Sequence, residues 1–179
     1  MQRCSNIVLV GPMGSGKSAV GKQLARDLDL DFVDSDAEIE ARTGVDIAYI
    51  FEKEGEAGFR VREREMIAEL AKRQAIVLST GGGAVLDPDN RRLLSECGTV
   101  VYLLTTIEQQ LERTRHTRHR PLLLDRNPET VLTELMEIRA PLYEEVADLT
   151  VKTGGRRVGA VVSEIRKALE RAESKPLKS

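Results

Sequence analysis

The sequence predicts an α/β fold: a parallel sheet with helices on both faces. Three observations carry that expectation. Short apolar runs without polar alternation, such as Ile7-Val8-Leu9-Val10 and Val100-Val101-Tyr102-Leu103-Leu104, read as strands buried on both faces. Segments with helical spacing alternate with these runs along the chain. Three chemically suggestive stretches follow directly on strands, at the carboxyl ends where open parallel sheets collect ligands.

In chain order, Ile7 to Val10 is the first strand. A helix from Lys17 to about Leu28 follows, with Val20, Leu24 and Leu28 every four residues. Asp31-Phe32-Val33 is a short second strand, ending at Asp34-Ser35-Asp36. Ser35-x-x-Glu38 reads as a capping box that opens the next helix, and Thr43-Gly44 closes it. Asp46 can cap a short helix carrying Ile47, Ile50 and Phe51, which Gly55 stops. A long charged helix spans about 56–73, with Phe59, Met66, Ile67 and Leu70 as its buried stripe.

Ala75 to Leu78 is the third strand, and Gly81-Gly82-Gly83 comes just after it. A short helix over Asp89 to Glu96 leads to a strand over Thr99 to Leu104. Ile107 to about Arg115 is helical, and a basic stretch closed by Pro121 follows. Pro128 to Tyr143 is again a helix, and Leu149 to Val151 the last strand. Val158, Val161, Val162, Ile165 and Leu169 stripe a C-terminal helix, with 173–179 read as a solvated tail. The whole reads as one domain over 1–172.

Gly11-Pro-Met-Gly14-Ser15-Gly16-Lys17-Ser18 is the G-x-x-x-x-G-K-[ST] phosphate loop in its strand–loop–helix setting. Glycines let backbone N–H groups turn inward to phosphate oxygens, and the helix that follows adds its positive end. Lys17 is placed to reach the β- and γ-phosphates, and Ser18 to ligate Mg²⁺. A nucleoside triphosphate is therefore the expected ligand. Of Asp34 and Asp36, one could hold Mg²⁺ through its water shell and the other accept a proton from an attacking hydroxyl. Both could equally cap the next helix.

Other candidates carry two readings each. Gly81-Gly82-Gly83 offers close backbone approach to a ligand or a tight turn. Arg60 and Glu63 form a site or an exposed i, i+3 pair. Arg139 is a ligand contact or a surface arginine. The span 113–126 holds Arg113, Arg115, Arg118, Arg120 and Arg126, either as a lid over the phosphates or as a solvated charge run.

Composition narrows the class. Lys+Arg 27 against Asp+Glu 29 leaves a net charge of -2, no nucleic-acid signature for the chain as a whole. Aromatic residues are 3% with no Trp, too few for a base-stacking platform. Cys4 and Cys97 lack metal-ligand spacing and read as free thiols, Cys97 packed. His116 and His119 lack the partners a zinc site needs. No apolar run spans a bilayer and no signal-peptide layout precedes the first strand, so a cytoplasmic location is expected.

Taken together, the phosphate loop, Asp34-Ser35-Asp36, Phe59-Arg60, Glu63, Gly81-Gly82-Gly83, Arg120-Pro121-Leu122 and Arg139-Ala-Pro-Leu-Tyr143 resemble the shikimate kinase family in order and approximate spacing. The resemblance covers nearly the whole chain. It implies a three-layer α/β/α P-loop NTPase fold of adenylate-kinase type with a central five-stranded parallel sheet. It implies ATP-dependent phosphorylation of the 3-hydroxyl of shikimate, with Mg²⁺, on the route to chorismate and aromatic amino acids.

Carried over by position, Lys17, Asp36 and Arg120 would be catalytic. Gly14, Ser15, Gly16, Lys17, Ser18, Ala19, Arg113, Arg120 and Arg156 would hold ATP. Asp36, Arg60, Gly82 and Arg139 would bind shikimate, supported by Glu63, Gly81 and Gly83. Ser18, and Asp34 through water, would serve the metal. The substrate-binding helical region would span about 35–63 and the mobile lid about 113–126. Ala19 stands where many members carry Thr, and Val158 where the family usually places Pro. A monomer acting on small molecules is expected, without nucleic acid or membrane. A gluconate or nucleoside monophosphate kinase is the nearest rival, and a non-catalytic nucleotide switch a more distant one.

Overall fold

The structure, a computed structural model, describes residues 6–115 and 126–173. Cys4, His116, Arg118, His119, Arg120, Pro121, Leu122 and the tail 174–179 lie outside the described residues. Five strands form one parallel sheet: β1 (Asn6–Val10), β2 (Asp31–Asp34), β3 (Ile76–Ser79), β4 (Gly98–Leu104) and β5 (Leu149–Lys152). Their order is β2-β3-β1-β4-β5, so β1 sits at the centre and both its neighbours come from later in the chain. The helices are α1 (Lys17–Leu28), α2 (Ser35–Thr43), α3 (Ile47–Leu70), α4 (Pro88–Cys97), α5 (Ile107–Thr114), α6 (Pro128–Val146) and α7 (Val158–Glu173).

The pleat of β1 explains the layering. Side chains alternate across a strand, so Ile7 and Leu9 face α1 and α7, where they meet Leu24, Val161 and Ile165. Val8 and Val10 face the opposite layer, built from Met66, Ile67 and Leu70 of α3, Leu94 of α4 and Tyr143 of α6. Both faces are covered, which is why the strand reads as an unbroken apolar run. The stripe Phe59, Met66, Ile67 and Leu70 is buried as expected, and so is Cys97.

Local signals fix most boundaries. Gly44 ends α2 in the left-handed region (φ 73°), and its N–H donates to Glu40 O. Asp46 caps α3 by accepting from Tyr49 N at 2.7 Å. Gly55 (φ 71°, ψ -179°) breaks the helical backbone inside α3, so the two helices expected there meet at a kink. α2 is capped differently from expectation. Asp34 is its N-cap, accepting from Asp36 N and Ala37 N, and Ser35 is already its first, fully buried residue. A capping box does occur, unforeseen, where Thr106 and Gln109 exchange bonds at the start of α5. Among the described residues no helix is long and apolar enough to cross a membrane.

Leu24 is fully buried between α1 and the sheet. Leu24→Ala is expected to lower stability by about 2–5 kcal/mol through lost burial and a residual cavity. Urea unfolding at fixed pH checks this, with the midpoint falling and the m-value unchanged.

Candidate active site

The donor side is set by backbone conformation. β1 ends at Val10, and Gly11 turns the chain at φ 148°. A Cβ there would lie 2.7 Å from Leu103 O, so only glycine passes beneath the end of β4. Gly14 (φ 75°) lies against the α5 backbone, where a Cβ would sit 3.3 Å from Gln110 Cα. Gly16 (φ 88°) then precedes α1, whose first turn holds no acidic residue to compete for an anion.

Lys17 Nζ donates to Gly11 O at 2.7 Å, to Pro12 O at 2.8 Å and to Ser15 Oγ at 3.2 Å. The ammonium thus lies over the loop it is expected to serve. Ala19 is exposed beside it. Arg113 ties the loop to the turn after β5: Nη1 donates to Gly14 O at 2.7 Å and Nη2 to Thr153 O at 3.5 Å. Arg156 reaches the same turn through its backbone N–H, which donates to Thr153 O at 3.3 Å. Its guanidinium is held back by Lys152 O and by Glu164 of α7, the latter at 2.6 Å.

Ser18 and Asp34 face each other, Ser18 Oγ donating to Asp34 Oδ2 at 3.4 Å. Asp34 Oδ1 accepts from Asp36 N at 3.0 Å and Ala37 N at 3.1 Å. One carboxylate therefore caps α2 and still offers its second oxygen to the phosphate loop. A hydroxyl beside a carboxylate is an all-oxygen donor set suited to Mg²⁺, which keeps several waters and leans on phosphate oxygens. Among the described residues no cluster of three or more His, Cys, Asp or Glu could hold a metal by itself.

The acceptor side is a knot of four charges around the glycine turn after β3. A Cβ at Gly81 would lie 2.9 Å from Asp36 Oδ1 and 3.0 Å from Glu63 Oε2. At Gly82 it would lie 3.5 Å from Arg139 Nη1 and 3.5 Å from Gly11 O. Gly83 lies directly against the Arg60 guanidinium. Gly81 makes room for both carboxylates, Gly82 for Arg139 and Gly83 for Arg60, and Gly82 also touches the phosphate loop. Arg60 Nη1 donates to Glu63 Oε1 at 2.8 Å and Nη2 to Glu56 Oε1 at 3.0 Å. Asp36 Oδ1, Glu63 Oε2 and Arg60 Nε are sealed from solvent without a hydrogen-bond partner in the structure.

Burial governs the electrostatics. Asp36 is pushed up to about 7, first by burial and then by the charges of Glu63 and Asp34, against the pull of Lys17 and Arg60. As a whole residue Asp36 keeps some exposure, but its carboxyl oxygen is the sealed part. Glu63, 1% exposed, is also raised by burial, which Arg60 and Arg139 only partly offset. Burial works against the Arg60 charge too, but this side chain is less enclosed, and pairing with Glu63 and Glu56 holds it above the usual arginine value. Burial lowers Arg139, which is 4% exposed.

Asp34, Asp36, Arg60, Glu63, Gly81, Gly82, Gly83 and Arg139 therefore lie together beside the phosphate loop. Glu63 and Arg139 are buried, against the reading of either as a surface residue. Glu63 stands among the apolar stripe of α3, one turn before Met66 and Ile67, and that position was its available signal. A separate cavity of about 330 Å³ lies between α2 and α3, near Arg42, Tyr49 and Arg62. Arg42 and Arg62 are already paired there with Glu69 and Glu54, and no candidate site residue lines it.

The raised Asp36 pKa has a sign for stability. An acid whose folded value exceeds its unfolded value favours folding when protonated. That contribution is present below about 4 and is lost as pH rises toward about 7. Asp36→Asn is expected to stabilise the protein by on the order of 1–3 kcal/mol at pH 8, with the gain shrinking toward pH 4. Denaturant unfolding of both proteins across that range measures it. A gain independent of pH would refute the burial account.

With this geometry in view, three comparisons become informative. A sequence model of the family described as shikimate kinase matches residues 13–170. A shikimate kinase of Thioalkalivibrio sulfidiphilus is 59% identical over 165 residues, covering 92% of this chain and 87% of its own. A solved shikimate kinase from Acinetobacter baumannii, in complex with shikimate, superposes with a TM-score of 0.94 at 48% identity, covering 97% of each chain. A gluconokinase from Sinorhizobium meliloti 1021 reaches a TM-score of 0.61 at 21% identity over 96% of this chain and 95% of its own, a likeness of fold alone. By family model, sequence identity and superposition, the chain belongs to the shikimate kinase family.

Proposed function

We propose a division of labour for the reaction that family membership gives the chain: ATP-dependent phosphorylation of the 3-hydroxyl of shikimate, yielding shikimate 3-phosphate and ADP. The carrying observation is the four-charge knot on Gly81–Gly83, because it suits a small polyhydroxy acid. Arg60 and Arg139 supply two guanidiniums for its carboxylate, and a guanidinium can bond both oxygens at once. Asp36 Oδ1 has no protein donor and can accept from hydroxyls. Gly82 bridges the two halves, close to Arg139 on one side and to Gly11 O on the other.

Asp36 accepts the proton of the 3-hydroxyl as the substrate oxygen bonds to the γ-phosphorus. The bond from that phosphorus to the β–γ bridging oxygen breaks, and the electron pair leaves with ADP. A base near neutrality suits this step, since proton transfer is most useful when the acceptor titrates close to working pH. Lys17 exchanges its present carbonyl acceptors for phosphate oxygens, joined by the loop N–H groups from Gly14 to Ala19. Ser18, and Asp34 through water, would hold Mg²⁺, which when bound neutralises charge on the β- and γ-phosphates.

Arg113 braces the phosphate loop and lies at the turn where Arg156 begins. The two are assigned to the adenine side, with Arg156 first releasing Glu164. Arg120 is assigned to the transferring phosphate; it lies outside the described residues. The chain is assigned as a monomer, and dependence on ATP supports a cytoplasmic setting.

ADP release by the purified protein with ATP and Mg²⁺, against shikimate, quinate, gluconate and nucleoside monophosphates, tests the reading. Turnover is expected with shikimate; turnover with another acceptor and none with shikimate would overturn it. Asp36→Asn is expected to cut kcat by about 10²–10⁴-fold with ATP binding nearly intact. Arg139→Ala is expected to raise the KM for shikimate and leave the KM for ATP within about twofold, as loss of a ground-state contact does. Near-normal kcat in Asp36→Asn would remove Asp36 from the base role.

A further inference from the structure

The glycine turn touches every acceptor-side charge, so whatever fixes the turn fixes the site. Gly81 N donates to Ser35 Oγ at 3.2 Å, and Gly81 O accepts from Ala84 N at 3.1 Å. Gly82 O accepts from the Tyr143 hydroxyl at 2.5 Å, a contact spanning 61 residues of sequence. Tyr143 is fully buried, and its ring stacks on Tyr102 with centroids 5.0 Å apart and planes at 29°. A fully buried aromatic side chain stacked on a second ring has little freedom, so its hydroxyl is a fixed point.

That hydroxyl has a second neighbour. Arg139 stands one helical turn earlier on α6, and its buried guanidinium lies within electrostatic reach of the phenol. The Gly82 peptide is the point the two share: its O accepts from the phenol, and its Cβ position lies 3.5 Å from Arg139 Nη1. Arg139 has no carboxylate hydrogen-bonded to it among the described ion pairs, whereas Arg60 has two. Tyr143 fixes the Gly82 peptide against which the second arginine lies.

We propose that Tyr143 is a positioning residue: it holds the Arg139 guanidinium and the Gly82 peptide in register, and so sets the strength with which the acceptor's carboxylate is recognised. This rests on the assignment of Arg139 to that carboxylate. Tyr143 touches no reacting atom. Its loss removes one donor to Gly82 O and leaves the phosphate loop and Asp36 in place.

The test compares shikimate with its analogue in which the carboxylate is replaced by a primary alcohol, in the wild type, Tyr143→Phe and Tyr102→Phe. The Tyr102 hydroxyl is buried without a hydrogen-bond partner, so Tyr102→Phe controls for removing an oxygen from the same ring stack. Tyr143→Phe is expected to raise the KM for shikimate about tenfold, with kcat and the KM for ATP within about threefold, and to leave kcat/KM for the alcohol unchanged. Tyr102→Phe should leave both substrates within about twofold. A fall in kcat/KM of equal size on both substrates, or an unchanged KM for shikimate, would overturn the proposal.

Thermal melts separate a change of site from a loss of fold. Should Tyr143→Phe melt near the assay temperature, the same comparison is made at a lower temperature at which its melt shows it folded; equal loss on both substrates there would overturn the proposal. Absence of shikimate turnover in the wild type would instead refute the assignment of function itself, so the two failures are distinguishable.

Discussion

Two acids and two arginines gathered at one glycine turn, Glu63 and Arg139 fully buried, are the constraint on which this structure depends. An isolated charge is costly to take from water into a protein interior, and opposite charges nearby offset part of that cost. Asp36 comes from α2, Glu63 and Arg60 from α3, Arg139 from α6, and the turn from the end of β3. Only an assembled sheet with one layer fully packed brings those four elements together. The apolar stripe of α3 and the stacked tyrosines under α6 therefore bury surface and also aim charges. The glycines are part of the same constraint, since side chains at Gly81 and Gly83 would occupy the space the carboxylates and the Arg60 guanidinium fill.

The donor half obeys a different rule. Its geometry is written in backbone angles: three glycines at positive φ carry the loop beneath β4 and α5. Side chains there, Lys17 and Arg113, hold the loop through its own carbonyl oxygens. Gly82 is where the halves meet, lying between the loop backbone and Arg139. Contact between the halves at this peptide matters because phosphoryl transfer is chiefly a matter of positioning donor against acceptor.

How much of this was legible in the sequence follows from what sequence patterns encode. Strands such as Ile7 to Val10 were legible because burial on both faces leaves an unbroken apolar run. Gly55 and Asp46 were legible because a left-handed break and an N-cap each demand a particular residue type. The phosphate loop announced itself for the same reason. The α2 cap was misplaced by one residue because Asp34 and Ser35 are both good caps, and only the sheet decides which is free. The β2 strand carries Asp34 to the helix start, while Ser35 is drawn inward to Gly81 N. Tyr143 and Gly82 lie 61 residues apart, and no local pattern joins them. Glu63 looked like half of an exposed pair because pairs at that spacing are usually solvated. Its place in the apolar stripe, four residues after Phe59 and three before Met66, pointed the other way, and the packing of α3 buries it.

The electrostatics of Asp36 tie the two halves together. Lys17 and Arg60 are the cations that hold its pKa down, against burial and two neighbouring acids. In the assigned roles each of those cations takes an anion: Lys17 the triphosphate, Arg60 the acceptor's carboxylate. In that assignment, pairing these cations with anions would leave less positive field on Asp36, while Mg²⁺ held by Ser18 and Asp34 would restore part of it. Asp36 Oδ1 itself is sealed beside Gly81. Burial, costly to the fold at neutral pH, is on this account what gives the site a base of useful strength.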